Sequence, residues 1–199
     1  MIVAKLMTEN PVTIGPADTL AAALAKMEAG RFRQLPVVEE GKLVGILTDR
    51  DVRQQIGQLA HTRVDAVMSA NPFSVRPSTP VEKAAHLIAT HKIGGLPVLD
   101  EGNLVGIITS TDMLRALIAV LGSSKEGTSR IDLALSDPGE IAMATGIVAQ
   151  VTGQVIGVGT YRGEWNESLV LFLRVASREA HRAAEVLEDQ GFHVLAIHS

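Results

Sequence analysis

The sequence predicts a mixed α/β (α+β) chain in which a duplicated unit is followed by a domain of a different pattern. Three observations predict it. Leu43-Val44-Gly45-Ile46-Leu47-Thr48-Asp49-Arg50-Asp51 recurs as Leu104-Val105-Gly106-Ile107-Ile108-Thr109-Ser110-Thr111-Asp112, 61 residues on, with six of nine positions identical. The same offset pairs Val3 with Val64, Asn10-Pro11 with Asn71-Pro72 and Leu35-Pro36-Val37 with Leu96-Pro97-Val98 without a gap, so residues 1–121 hold two copies of one unit. Beyond Gly122-Ser123-Ser124-Lys125-Glu126-Gly127-Thr128-Ser129, a stretch of flexible-linker composition, strand and helix periodicities follow in a new order. The expected boundaries are 1–60 and 61–121 for the copies, 122–128 for the linker and 129–199 for the last domain.

Each copy reads as β-α-β-β-α. Val12-Thr13-Ile14 and Phe73-Ser74-Val75 are short β-branched or aromatic runs that end at prolines, and each predicts a strand. A helix over 19–29 has Leu20, Ala23, Leu24 and Met27 at helical spacing; its counterpart is better marked, with Thr79 as N-cap, Pro80 at the first helical position and Glu82 completing a capping box. Residues 35–38 and 43–47 flank Glu39-Glu40-Gly41-Lys42, and a glycine able to take positive φ there favours a hairpin. The second helices are expected over 49–57 and 110–121.

In the rear domain, Ile131-Asp132-Leu133-Ala134-Leu135 alternates as a strand, Ser136-Asp137-Pro138-Gly139 turns, and Ile141, Thr145, Val148 and Val151 share one helical face. Residues 155–161 and 169–175 read as strands joined by a polar loop carrying Trp165, for which a partner contact and cover for a sheet edge are both open. Ser177 is expected to cap a helix over 178–190, Gly191 to end it with a left-handed residue, and 192–197 to form the last strand. The order βαββαβ is that of a ferredoxin-like sheet with helices on one face.

Composition removes several classes of function. Residues 1–121 carry 12 basic and 12 acidic side chains, and residues 122–199 carry 6 and 10, so there is no cationic footprint for DNA or an anionic membrane. Aromatics at 3% argue against a base-stacking surface. With no cysteine, disulfides, thiolate metal sites and cysteine nucleophiles are absent. The first residues lack the pattern of a signal peptide, and the apolar run 113–121 is broken by Arg115 and far shorter than the roughly 20 residues a membrane span needs, so a cytoplasmic protein is expected.

The chemistry concentrates at the strand-to-helix junctions Thr48-x-x-Asp51 and Thr109-x-x-Asp112. A helix start leaves unpaired N–H groups and a partial positive charge that suit a phosphate, the threonine adds a donor, and a carboxylate one turn in can accept from both ribose hydroxyls. The same pattern is also a capping box whose side chains merely satisfy their own backbone, and taken locally capping is the commoner outcome.

The duplicated Leu-Pro-Val, Gly-x-Leu-Val-Gly-Ile and Thr-x-x-Asp series over residues 1–121 resembles the CBS-domain pair, or Bateman module, whose two copies are related by pseudo-twofold symmetry. The resemblance implies an adenosine ligand, with Thr48, Asp51, Thr109 and Asp112 at phosphate and ribose and Thr13, Ser74, Arg33, Gly94 and Gly95 nearby. Gly94-Gly95 allow close approach where the first copy has Arg33-Gln34, so the sites should differ, and the second should suit the neutral part of a nucleoside. The order βαββαβ, with Asp137-Pro138-Gly139 in the first turn and Gly153-Gln154 before the second strand, resembles an ACT domain and implies an amino-acid site at those residues. A CBS pair followed by an ACT-like domain is similar to the acetoin-utilisation regulatory protein family.

Other motifs carry less. Gly157-Val158-Gly159-Thr160-Tyr161-Arg162-Gly163 has the wrong last spacing for a dinucleotide fingerprint and lies in a strand, where its glycines favour close packing. Gly122-Ser123-Ser124-Lys125 is followed by Glu126 and is no phosphate loop. His181 and Glu185 form a solvated i,i+4 pair without a second histidine, and His193 and His198, five apart in a strand, are expected on opposite faces. CBS pairs also occur in IMP dehydrogenases, but here a catalytic barrel and a cysteine nucleophile are missing. The function expected is a regulatory sensor, not an enzyme, that binds AMP, ADP, ATP or S-adenosylmethionine, needs no cofactor or metal, forms a homodimer and acts on a regulated protein of unknown identity, without nucleic acid or membrane as partner. The competing reading is a structural or adaptor dimerisation module with no small-molecule ligand.

Overall fold

The computed structural model describes residues 1–122, 126–162 and 169–199; residues 123–125 of the expected linker and the Trp165 loop, 163–168, lie outside the described residues. Two compact units result, Met1–Leu114 and Arg115–Ser199.

In chain order the first unit holds β1 (Thr8–Glu9), α1 (Leu20–Gly30), β2 (Gln34–Glu39), β3 (Lys42–Thr48), α2 (Asp49–Arg53), β4 (Ser69–Ala70), α3 (Val81–His91), β5 (Gly95–Asp100), β6 (Asn103–Thr109) and the start of α4 (Ser110–Val120). The duplication is written into the backbone. Asn10 and Asn71, Arg31 and Lys92, and Glu40 and Glu101 all take positive φ, each pair within 2°. In the hairpins both turn residues are left-handed, Glu40 at 48° and Gly41 at 81°, Glu101 at 48° and Gly102 at 83°. That geometry matches the twist of the strands it joins, β2 to β3 and β5 to β6.

In the first unit three expectations are corrected. Val12-Thr13-Ile14 and Phe73-Ser74-Val75 do not form strands; each contributes one parallel bridge, Ile14 to Val37 and Val75 to Val98. Thr79 does not cap α3, because its Oγ1 accepts from Arg76 N at 3.0 Å one turn earlier and Pro80 takes the capping position. The second helix of the first copy stops at Arg53, short of Gly57.

Each copy also gives its opening segment to the other. β1 pairs with β6 of the second copy, and β4 pairs with β3 of the first. Val3 is buried among Val75, Ala84, Ile88, Leu96, Val98 and Ile108, and Val64 among Ile14, Leu20, Leu35, Val37, Leu47 and Val52. Each such valine contributes roughly 1.5–3 kcal/mol on full burial, so neither core is complete without the other copy. The exchange also meets the orphan donors of the helix starts: Val81 N donates to Met1 O at 3.1 Å, and Leu20 N to Thr62 O at 2.9 Å. Where the copies meet, Lys42 pairs with Asn103, its own counterpart, so the pseudo-twofold axis passes between them.

The second unit holds β7 (Thr128–Leu135), α5 (Glu140–Thr152), β8 (Gly157–Arg162), β9 (Leu169–Ala176), α6 (Ser177–Asp189) and β10 (His193–His198). Its antiparallel sheet runs β10-β7-β9-β8, the ferredoxin-like order, and α5 and α6 pack on the face presented by Ile131, Leu133, Leu171 and Leu173. The division between units falls inside α4, and Leu121 beyond it is tied to this sheet by Arg174 Nε at 3.1 Å. Gly191, at φ 88°, follows α6 as expected, and Gly159 makes room for the Phe172 ring, which a Cβ there would meet at 2.5 Å. Ser177 lies inside α6 instead of capping it, and its Oγ accepts from Ser129 Oγ at 2.9 Å. His193 and His198 do not take opposite faces: a bulge between Val194 and Ala196 adds a residue, so they pair with Ala134 and Arg130, which share a face.

Candidate functional site

Each Thr-x-x-Asp sits where a hairpin strand turns into a helix. Thr48 N and Oγ1 both donate to Asp51 Oδ2, at 2.9 and 2.6 Å, and Asp51 N donates back to Thr48 Oγ1 at 3.4 Å. In the second copy Thr109 N and Oγ1 donate to Asp112 Oδ2 at 2.9 and 2.7 Å. The capping box is therefore complete in the first copy, and the second shows its half in which Asp112 accepts from Thr109 N. In the first copy it does not exhaust the carboxylate, since Asp51 Oδ1 has no hydrogen-bond partner among the described residues. Asp112 is 6% exposed, which makes its charge expensive to bury unless well partnered.

The segment before each Leu-Pro-Val is fastened to the same junction. Arg33 O accepts from Asp49 N at 2.8 Å and Gly94 O from Ser110 N at 3.0 Å, which brings Arg33 to Thr48 and Asp51, and Gly94 and Gly95 to Thr109 and Asp112. Thr13 and Ser74 stand one residue before the bridges to Val37 and Val98, at the same end of each sheet half. The carbonyl of Thr13 accepts from Lys26 Nζ at 2.8 Å.

Gln34 belongs to this site and was not among the residues singled out from the sequence. A Cβ on Gly95 would lie 2.4 Å from Gln34 Nε2, and one on Gly94 would lie 3.7 Å from Gln34 Oε1. The amide of the first copy thus lies in the space that the two glycines open in the second. The signal was present: Gln34 is the counterpart of Gly95, and counterparts near a twofold axis face each other.

The residues expected to bind an amino acid are not brought together within one chain. Asp137 Oδ1 accepts from Gly139 N at 2.6 Å at the start of α5, whereas Gly153, at φ 72°, caps its far end beside Gln154. A helix of 13 residues separates them by roughly 20 Å. Pro138 turns with the first group. Among the described residues no cluster of three metal-ligating side chains occurs, and no helix is long and apolar enough to cross a membrane.

One polar cluster escaped sequence reading altogether. Asp132, 4% exposed, accepts from Arg130 Nε and Nη2 at 2.6 and 2.8 Å and from Tyr161 OH at 3.0 Å, while Arg130 lies over the Phe172 ring, 4.7 Å from its centroid. Burial, and then the bond to Asp132, push Tyr161 above the ordinary phenol value of 10.0. The folded chain therefore holds this proton longer than the unfolded chain. The resulting stability is fully present below pH 10 and is lost as pH rises through the native value. Tyr161 is the sole tyrosine, so phenolate absorbance reads it directly: the native midpoint is expected above 10 and the denatured one near 10, and a native midpoint at or below 10 refutes the assignment.

Two interleaved sheet-and-helix modules around a pseudo-twofold axis, each with a Thr-x-x-Asp junction, define a duplicated paired-domain module. The chain belongs to the CBS domain family, whose model matches residues 3–57 and 64–119. A CBS domain-containing protein of Dictyostelium discoideum is 37% identical over 136 residues, covering 61% of this chain and 94% of that protein. Among solved structures, an acetoin utilization protein (AcuB) from Vibrio cholerae is similar at TM-score 0.56 and 33% identity, covering 63% of this chain and 98% of that one. CBSX2 in complex with AMP gives 0.53 and 30%, covering 59% and 96%. The CBS pair of MJ0100 in complex with 5′-methylthioadenosine and S-adenosylmethionine gives 0.56 and 28%, covering 63% and 98%. Inosine-5′-monophosphate dehydrogenases are also relatives, but the chain covers 34% or less of their length.

Proposed function

We propose that the CBS pair is a sensor for an adenosine-containing ligand, AMP, ADP, ATP or S-adenosylmethionine, and that the chain acts by regulation and not by catalysis. The observation that carries this reading is the second junction, where the buried Asp112 and Thr109 stand beside the Gly94-Gly95 backbone. Similar pairs that hold AMP, methylthioadenosine and S-adenosylmethionine support it. A ligand entering there moves Gln34, whose strand is paired with Thr48 of the other junction, and so reaches both sites. It shifts the packing only by its differential affinity for the two arrangements.

The test is a thermal melt of ligand-free protein with AMP, ADP, ATP and S-adenosylmethionine. At a hundredfold excess over Kd a binder contributes about 2.7 kcal/mol, which for a chain of this size raises Tm by about 5–10 °C. No shift with any of the four ends the sensor reading.

A structural or adaptor dimerisation module is the second reading, favoured by the completeness of the Thr48-Asp51 box without a ligand. It expects no such shift. We read the βαββαβ unit as ACT-type, on its strand order, and the chain as a cytoplasmic member of the acetoin-utilisation regulatory group acting on another protein. Because Asp137-Pro138-Gly139 and Gly153-Gln154 lie at opposite ends of α5, an amino acid held by both groups needs two copies of the chain, which makes a homodimer part of that reading.

A further inference from the structure

The first copy closes its two helices in a way that the second does not repeat. α2 ends at Arg53, and Gly57, at φ 106°, turns the chain back so that Leu59 O accepts from Ala21 N at 3.0 Å near the start of α1. At the 61-residue offset Gly57 becomes Ile118, and α4 runs on through it to Val120. Between α1, α2 and this return lies a cavity of about 400 Å³, within the range of small-molecule sites. Its floor is apolar: Met27 and Val52 are buried core residues, and Leu24, Phe32 and Leu59 pack against that core from its edge. Gly30 sets the Phe32 wall, because a Cβ there would collide with the ring. Ile56 stands at the lip, 76% exposed, so an apolar occupant beneath it would remove its side chain from water.

The rim is charged. Arg31, Arg33 and Arg53 line it with Glu28 and Asp49, and Asp49 Oδ2 already accepts from Arg53 Nε at 2.8 Å. The side chains of Arg31 and Arg33 have no partner among the described residues, so the rim is left with an excess of one positive charge. Neither Thr48 nor Asp51 lines the cavity, which separates it from the junction where the adenosine reading places its ligand. We propose that this groove binds a medium-chain aliphatic carboxylate, with its tail on the floor beneath Ile56 and its head at the arginines. An aliphatic and aromatic floor has no polar group with which to read a nucleobase, whereas it suits an alkyl chain. Guanidinium suits the head, because its planar donors pair with both oxygens of a carboxylate. At the same offset Arg31, Phe32 and Arg53 become Lys92, Ile93 and Leu114, so the site belongs to the first copy alone.

The probes are hexanoate, octanoate and decanoate, titrated calorimetrically into the full chain, with octan-1-ol as the uncharged tail. Affinity is expected to rise with chain length, by up to about fourfold per methylene buried, and octan-1-ol to bind about tenfold or more weakly than octanoate. Ile56→Glu puts a like charge at the lip of the groove on an exposed position, so it should melt with the wild type and bind octanoate about tenfold or more weakly. Arg31→Gln should weaken octanoate and leave octan-1-ol unchanged. Leu117→Glu, at the counterpart of Ile56 and 52% exposed, controls for a charge placed on the second copy and should leave binding as it is. No binding, affinity that does not grow with chain length, or binding untouched by Ile56→Glu overturns the proposal. If Ile56→Glu lowers the mass of the particle in solution while octanoate does not bind, the groove is a contact between copies and the proposal is likewise overturned. The adenosine reading is independent: a melt shift with adenosine ligands in Ile56→Glu leaves it standing whatever the carboxylates do.

Discussion

Gly106→Val is expected to destabilise the first unit by about 1–3 kcal/mol, the usual cost of overpacking, which lowers Tm by about 3–10 °C. A Cβ at Gly106 would lie 2.6 Å from Met7 Sδ and 3.1 Å from Thr8 O, and one at Gly45 would lie 2.5 Å from Met68 Sδ and 3.2 Å from Ser69 O. Both glycines are where an exchanged strand crosses its host, β1 over β6 and β4 over β3. The methionine can swing away, but the carbonyl belongs to the pairing strand and cannot move without opening it. Met7→Ala in the Gly106→Val background should therefore restore part of the loss and leave the backbone part. A Gly106→Val variant as stable as wild type would show that the exchanged strand is not held here. The glycine of the repeated Val-Gly-Ile is thus a packing requirement of the exchange.

The exchange is also where sequence reading fell short. The hairpins, the long helices α1, α3 and α4 and the βαββαβ order follow from local signals, namely periodicity, Glu-Gly turns and the Gly191 stop. Strand pairing between distant segments leaves no such mark. Thr8-Glu9 is two polar residues with no alternation, yet it pairs with Gly106 and Ile107 because Val3 is drawn into the second core. The expected strand at Val12-Thr13-Ile14 shows the converse, a good local propensity reduced to one bridge because the sheet edge it meets offers only Val37. At the site, Thr-x-x-Asp was legible as residues, and its two roles were legible as alternatives. Gln34 was not singled out, since its importance comes from facing Gly95 across a symmetry axis. The Arg130-Asp132-Tyr161 cluster was hidden in the same way, three strand positions that only the sheet register brings together.

Asp112→Ala is expected to abolish the adenosine-induced melt shift while the chain still folds. The two roles of the carboxylate separate in this variant. As a cap, Asp112 Oδ2 accepts from Thr109 N and Oγ1, and its loss leaves a half-buried N–H without its partner, at a cost of about 1–2 kcal/mol. As a ligand contact, its loss removes the acceptor for the ribose hydroxyls, and a ligand that binds neither folded nor unfolded chain shifts nothing. Asp112→Asn refines the outcome, because an amide oxygen can still accept from Thr109 but no longer presents a charged acceptor to a ribose. It should recover much of the basal Tm and little of the ligand shift. If Asp112→Ala lowers the basal Tm and keeps the full adenosine shift, the aspartate is a cap alone, and the ligand, if bound, sits at the first junction with Asp51.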